Sequence, residues 1–327
     1  MLVKHVRPPL VKEKQAEDSR IRFHTPITDS SSGYGRLGLV QINALGGLHV
    51  GADDSPDYAL CHPGCLSTAP IRFTMWEPDD IPLAQRNFSH CRALIVPSTH
   101  NAQVFRKAKF RGAIIVVPLY GDAPYFPMPD DSTLKFICIA RDNGVRGRKG
   151  IDNLIKWFSE AFPSERDVFL TVKHSPWCFK RETSDTRISI IYENWPEEKH
   201  YAMMAEHHCG VFLSGLEGWN MPLNELMAMG RPSMVAQYGG PADFVSDQTS
   251  FLLPYEMVPA PTESPYLGCG YGASPTKEGV IETFRHIYRN RGELQAKAMA
   301  SYAHSMLFTK QLHSERLRVA VAGLLGK

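Results

Sequence analysis

Two glutamates eight positions apart, Glu217 and Glu225, frame the stretch of this chain best equipped for chemistry, GVFLSGLEGWNMPLNELMAMGRPSMVAQYGGPADFV from Gly210 to Val245. Ionised carboxylates accept strong hydrogen bonds from ligand hydroxyls, and each can face a positive charge that develops during a reaction. Between them the backbone N–H groups of Gly218, Trp219, Asn220 and Met221 lead into a helix. Such a helix mouth holds anions with the help of the helix dipole, and a diphosphate suits it.

The elements that position these groups can be read from spacing. Gly210 to Ser214 is an apolar run of buried-strand length. Pro222 occupies a tolerated first-turn position, Leu223, Leu226 and Met227 repeat at helical spacing, and Gly230 supplies a stop. A second apolar run, Pro232 to Ala236, meets Gly239-Gly240, and another helix opens at Pro241. On a helical wheel Glu225 lies roughly opposite Leu223, Leu226 and Met227, which equally suits a solvated surface glutamate.

The stretch resembles the donor-site signature of retaining GT-B glycosyltransferases, in particular glycosyltransferase family 4: E-G-[FW]-x-x-P-x-x-E, then A-x-G-x-P, then G-G-x-x-[DE]. Here it reads EGWNMPLNE, AMGRPSMV and GGPAD. The resemblance implies an α/β chain of two Rossmann-like domains facing a cleft, the first one short. It also implies transfer of a sugar from a nucleotide-sugar donor, such as a UDP- or GDP-sugar, to an acceptor hydroxyl with retention. Glu217 would then hold donor-sugar hydroxyls near the developing positive charge, and Glu225 would accept hydrogen bonds from the ribose. Arg141 and Lys149, in ARDNGVRGRKG, match the two phosphate-binding cations of relatives. The loop between them adds Arg146 and Arg148, which leaves open which arginine reaches the ligand. No Asp-x-Asp occurs in the chain, so a metal-independent reaction with no cofactor besides the donor is expected.

A chain of 327 residues, 43% apolar, is long enough for two ordinary domains. The first is expected over 1–122, a proline-rich linker over 120–132, and the donor domain over 133–308; by resemblance a helix at about 309–327 packs back on the first. The formal charge of +2 demands no polyanionic partner. MLVKHVRPPLVKEKQ lacks the apolar core of a signal peptide, and no apolar run approaches the ~18 residues of a membrane span, which points to a soluble, cytoplasmic protein. Seven cysteines, an odd number, do not form a disulfide framework, and CHPGC (Cys61, His62, Cys65) lacks the second cluster zinc needs.

In the first half, strands are expected at 21–25, 58–61, 71–76 and 93–97. Gly33, Gly35 and Gly38 satisfy G-x-G-x-x-G after the first of these, within a loop opening into a helix. Gly33 and Gly35 are therefore candidates for the phosphate side of the cleft. The same glycines, with Asp53, Asp54 or Asp57 as the ribose acid, support an alternative NAD-dependent oxidoreductase. A further alternative is a non-catalytic nucleotide- or nucleic-acid-binding module. His62 and Glu77 each follow a strand, at the sheet edge where ligands bind, and are the acceptor-side candidates. Arg106, Lys107, Lys109 and Arg111 form the densest basic cluster; they suit either the C-terminal dipole of a helix or contact with an anionic membrane or nucleic acid. The acceptor stays open among glycans, lipids, small molecules and hydroxylated DNA bases. Residues 245–276 read as irregular, and helices are expected at 277–304 and 309–325.

Overall fold

The computed structural model describes residues 20–25, 33–51, 54–142 and 147–326. The first half contains β1 (Arg22–His24), α1 (Gly33–Leu45), β2 (Leu48–His49), β3 (Tyr58–Leu60), β4 (Ile71–Phe73), β5 (Ala93–Val96), α2 (Thr99–Lys107) and β6 (Ala113–Val116). These strands form one parallel sheet in the order β2-β1-β3-β4-β5-β6. β3, β4 and β5 are buried along their whole length, as parallel strands covered on both faces must be. The crossovers from β3 to β4 and from β4 to β5 carry no α-helix, only a 3-10 turn at Leu83–Gln85, and this keeps the half short. β4 ends earlier than its apolar run suggests because the Trp76 N–H turns out of the ladder to Asn101 Oδ1, 2.6 Å away.

The second half contains β7 (Leu134–Ile139), α3 (Ile151–Ala161), β8 (Val168–His174), β9 (Ile188–Tyr192), α4 (Glu197–Ala205), β10 (Cys209–Phe212), α5 (Met221–Ala228), β11 (Ser233–Val235) and β12 (Phe251–Leu252). Its parallel sheet runs β12-β11-β10-β7-β8-β9. Phe136, Phe158, Phe162 and Phe284 fill the core on one side, with Phe136 edge-on to Phe284 at 4.9 Å. α5 differs from its expected amphipathic form. Every residue except Pro222 is buried, so no side of this helix faces water.

Residues 245–276 are more ordered than their glycine and proline content suggests. β13 (Tyr255–Pro259) and β14 (Tyr271–Pro275) pair as an antiparallel ribbon, with Pro259 and Pro275 at strand ends where a missing N–H is tolerated. The expected helix at 277–304 is two helices, α6 (Lys277–Arg289) and α7 (Gly292–Ser305), broken where the Asn290 N–H bonds back to His286 O. α8 (Lys310–Leu325) returns to the first sheet. Its Leu317 and Val321 share a core with Leu37 and Phe73, and Arg92 Nη2 donates to Leu324 O at 2.5 Å. No described helix is long and apolar enough to cross a membrane.

Candidate active site

The carboxyl edges of the two sheets face each other, and the loops that leave them meet. Ser98 Oγ and Asn101 Nδ2 both donate to Gly218 O at 3.1 Å. Ser98 also caps α2, accepting from the Asn101 N–H. Asp243 accepts from the Thr99 N–H at 2.7 Å and from its hydroxyl, so a carboxylate from the second half sits at the positive end of α2. The Asp79 N–H bonds Tyr271 O at 3.0 Å, and the Tyr271 N–H bonds Asp79 Oδ1 at 2.7 Å.

The loop Glu217–Asn220 is held by the glycine pair of the next turn. A Cβ on Gly240 would lie 2.2 Å from Gly218 O, and Gly239 has φ +68°, so both positions require glycine. Asn220 itself adopts φ +88°, a conformation asparagine tolerates, and its Oδ1 caps α5 by accepting from the Leu223 N–H. The Trp219 indole is not a ligand platform. It is buried against Phe244 (4.5 Å) and Phe308, with Nε1 donating to Asn224 Oδ1. Its backbone is another matter: among the described residues the N–H groups of Gly218, Trp219 and Asn220 have no hydrogen-bond partner. Met221 and Pro222 open α5 directly behind them.

Glu217 is buried and pairs with Lys149, which the left-handed Gly150 (φ +66°) places just before α3. Burial pushes the Lys149 pKa down and the neighbouring Arg148 adds to this; Glu217 opposes both. An incoming polyanion would therefore meet an ammonium group with one counter-charge and unfavourable surroundings. Arg148 donates from Nη1 to Leu216 O at 3.0 Å, and Glu77 reaches both cations electrostatically. Arg141, at the end of β7, has no hydrogen bond or ion pair among the described residues, and Arg146 lies outside them. Arg148 is thus the arginine that acts on Lys149 directly.

Glu77 enters from the first half. Its carbonyl accepts from His100 Nε2 at 3.0 Å; burial pushes the Tyr266 phenol up, and the Glu77 carboxylate adds to this. Tyr266 belongs to the segment between β13 and β14, is buried, and packs edge-on against Trp76 at 5.5 Å. His62 lies on the same wall with its ring open to solvent. The surrounding protein still holds its pKa below the usual histidine value, against the pull of Glu77.

Glu225 occupies a different environment. It is 2% exposed, and Oε1 accepts from Arg36 Nη1 of α1 at 3.1 Å. Oε2 is buried with no partner among the described residues. Burial raises the Glu225 pKa, and Arg36 pulls it back. The surface-glutamate reading of the helical wheel is therefore corrected: α5 is enclosed on all sides, including by the linker, where a Cβ on Gly121 would lie 2.4 Å from Asn224 O.

The glycine-rich loop also needs correction. Gly33, Gly35 and Gly38 fall within α1, not in a turn before it, and residues 26–32 lie outside the described set. Asp54 and Asp57, the alternative ribose acids, are engaged in stitching β1: the Arg22 N–H donates to Asp57 Oδ2 at 2.9 Å, and the Gly51 N–H to Asp54 Oδ2. Asp53 is outside the described residues. In the basic cluster Arg106 caps the α2 terminus through Phe110 O and Gly112 O, and Lys107 pairs with Asp79 at 3.2 Å. Lys109 adopts φ +66° and Arg111 is exposed. Spacing alone did not reveal Arg36, Thr99, Asn101 or Tyr266, whereas Asp243 is the acidic residue that closes the GGPAD turn.

A cavity of about 150 Å³ adjoins the site between Arg148, Asn153, Trp157, Leu216 and the β13–β14 ribbon. It touches neither glutamate, so the charged groups, not this void, mark the chemistry. Among the described residues no group of three or more His, Cys, Asp or Glu could hold a metal ion.

No family model matches the sequence, and no curated protein matches it. Solved structures do. The pneumococcal O-GlcNAc transferase GtfA in complex with UDP and GlcNAc matches with TM-score 0.58 at 14% identity, over 79% of this chain and 53% of GtfA. The sucrose-phosphate synthase of Thermosynechococcus elongatus matches with TM-score 0.61 at 12% identity, over 89% of this chain and 78% of the synthase. Anabaena HepE in complex with UDP and glucose matches with TM-score 0.60 at 13% identity, over 90% and 83%. The chain spans about half the length of GtfA. Its fold is GT-B: two parallel-sheet, Rossmann-like α/β halves.

Proposed function

We propose that this chain is a retaining glycosyltransferase of the family 4 type, transferring a sugar from a nucleotide-sugar donor to an acceptor hydroxyl without a metal ion. The observation that carries this reading is the pair of buried glutamates, one in the loop that opens α5 and one within α5. Glu217 is held by Lys149, on which Glu77 also acts, while Glu225 keeps one buried carboxylate oxygen without a partner among the described residues. Two of the similar structures contain UDP with a sugar, which supports a nucleotide-sugar donor. Retention is supported by the motif resemblance.

Breaking the anomeric bond loads negative charge onto the departing diphosphate and positive charge onto the sugar. Preorganised cations and N–H donors aimed at the leaving group lower that barrier most. Lys149, an arginine of the same loop, and the free amides of Gly218, Trp219 and Asn220 would supply them. These groups take the place of a divalent ion in the proposed reaction. Glu217 would hold sugar hydroxyls beside the developing oxocarbenium, and Glu225 Oε2 would accept from a ribose hydroxyl. His62 and Glu77 would flank the acceptor. Closure of the two halves, already joined at Gly218, Asp243 and Tyr271, would exclude water and suppress donor hydrolysis.

The test is donor hydrolysis screened over UDP- and GDP-sugars with EDTA present, followed by an acceptor screen and assignment of the anomer by NMR. The expected result is turnover of one donor class, insensitive to EDTA, with the anomeric configuration kept. Turnover that needs manganese would overturn metal independence, an inverted product would overturn retention, and NAD-dependent hydride transfer would overturn the assignment as a whole.

A further inference from the structure

The two cysteines of CHPGC are not used by the proposed reaction, yet their side chains pack into one small cluster. Cys61 ends the buried β3 edge, its N–H bonded to Phe73 O at 3.1 Å, and its side chain packs with Ala59 and Ala69. The chain then turns: the Cys65 N–H bonds His62 O at 3.0 Å, which brings the half-buried Cys65 side chain back onto the same small cluster. Each of the two sulfurs is the other's strongest electrostatic partner. The turn is fixed from outside. Asn87 Nδ2 donates to Cys65 O at 3.1 Å, and a Cβ on Gly64 would lie 2.0 Å from Gln85 Oε1.

The surroundings distinguish the two sulfurs. Arg72 is 2% exposed and spends its guanidinium on the backbone carbonyls of Ala69, Asn87 and Ser67; no carboxylate among the described residues pairs with it. Its charge is therefore free to act on its neighbours. The Ser67 backbone and His24 also act on Cys65. The neighbouring Cys61, followed by the Ser67 backbone, His24 and Arg72, pulls the Cys65 thiol below its usual range despite burial, while the interaction with Cys65 and deep burial push the Cys61 thiol up. Cys91, the third sulfur near Arg72, is pushed up to about 11 by burial.

We propose that Cys61 and Cys65 form a peroxide-reactive dithiol, with Cys65 as the attacking sulfur and Cys61 as the resolving one, which closes to a disulfide across the turn that carries His62. The Cys65 thiolate attacks hydrogen peroxide, the O–O bond breaks, and a sulfenic acid forms as hydroxide leaves and takes a proton to become water. The Cys61 thiol then gives up its proton and attacks the Cys65 sulfur. The S–O bond breaks, a second water leaves, and two thiols have been oxidised by two electrons. Only Cys65 needs access to solvent, because the second step is internal. Bond formation brings the two sulfurs to about 2.05 Å, so the turn tightens beneath His62.

The experiment uses the whole chain, reduced and then treated with hydrogen peroxide, denatured, alkylated, digested and read by mass spectrometry. Cys61 and Cys65 should lose alkylation together, with loss of two hydrogens from their peptide, and recover it with dithiothreitol. Cys65 should react at least about tenfold faster than the half-exposed Cys269, whose neighbouring cations Arg86 and Lys107 are answered by Asp80 and Asp79. In Cys61→Ser, Cys65 should accumulate as a sulfenic acid trapped by dimedone; in Cys65→Ser, Cys61 should stay reduced. Because Cys65 is half-buried on a loop, Cys65→Ser keeps the test informative should Cys61→Ser fail to fold. Oxidation of Cys178 or Cys91 ahead of Cys65, a disulfide to Cys91, or equal rates at Cys65 and Cys269 would overturn the proposal. The readout is thiol chemistry, so its outcome does not depend on whether the chain transfers sugars.

Discussion

Glu217 and Glu225 are the same side chain eight positions apart, one in the loop before α5 and one within α5, and their surroundings differ in kind. Glu217 is paired within its own half of the molecule, by Lys149 just before α3, on which Glu77 of the other half also acts. Glu225 sits inside a helix enclosed on every side and is paired across the molecule, by Arg36 of α1. The first arrangement suits a group whose interactions change during a reaction. The second suits a group that recognises an unchanging part of a ligand.

The largest expected effect follows from that division. Lys149→Ala should lower kcat about 10²-fold or more, the scale for losing a charge partner of the leaving group, and Glu217→Gln should lower kcat with little change in donor KM. Steady-state kinetics on the donor found by the hydrolysis screen checks both; normal turnover in either variant would remove the distinction between the glutamates. Next, Glu225→Ala should raise donor KM by about one to three decades at nearly constant kcat, because uniform binding is lost. A 2′- or 3′-deoxyribose donor should lose little more in that variant. Discrimination between ribose and deoxyribose equal to the parent's would show that Glu225 does not read the ribose.

Tyr266→Phe should cost roughly threefold to tenfold in kcat, the scale of one polar interaction with the Glu77 carboxylate, with the melting temperature little changed. A KM effect alone would place Tyr266 outside the reacting centre. The smallest effect concerns pH. The Glu225 pKa is raised in the folded state, so its contribution to stability is fully present below the ordinary glutamate value of 4.5 and is lost as pH rises through the raised one. Thermal melts of wild type and Glu225→Gln should therefore diverge with rising pH, the variant becoming relatively more stable. Parallel curves would mean that Arg36 fully offsets the burial.

The second half was readable from sequence because its demands are local. The strand before Glu217, the glycines that must admit a neighbouring backbone and the stop at Gly230 all lie within 36 consecutive positions, 210–245. Arg36, Thr99, Asn101 and Tyr266 reach the site from three separate segments, and nothing in their own neighbourhoods marks them. Periodicity failed at α5 for a related reason. A helix covered all round carries no amphipathic signature, so its one carboxylate looked like a surface group. Gly33 and Gly35 misled in the opposite direction, since a glycine pattern says that the backbone is permissive but not whether it forms a turn or a helix.

The return of α8 to the first sheet has a consequence for how the chain is made. Leu317 and Val321 complete the apolar cluster around Leu37 and Phe73, and Arg92 is tied to Leu324 across 232 positions. A ribosome releases the first sheet long before it releases its cover. While the second half folds on contacts of shorter range, the first must wait with part of its apolar surface wet, and closing so long a loop is slow. The half that is synthesised first is thus the half that finishes last, and it is the one most in need of chaperone protection until the residues of α8 emerge.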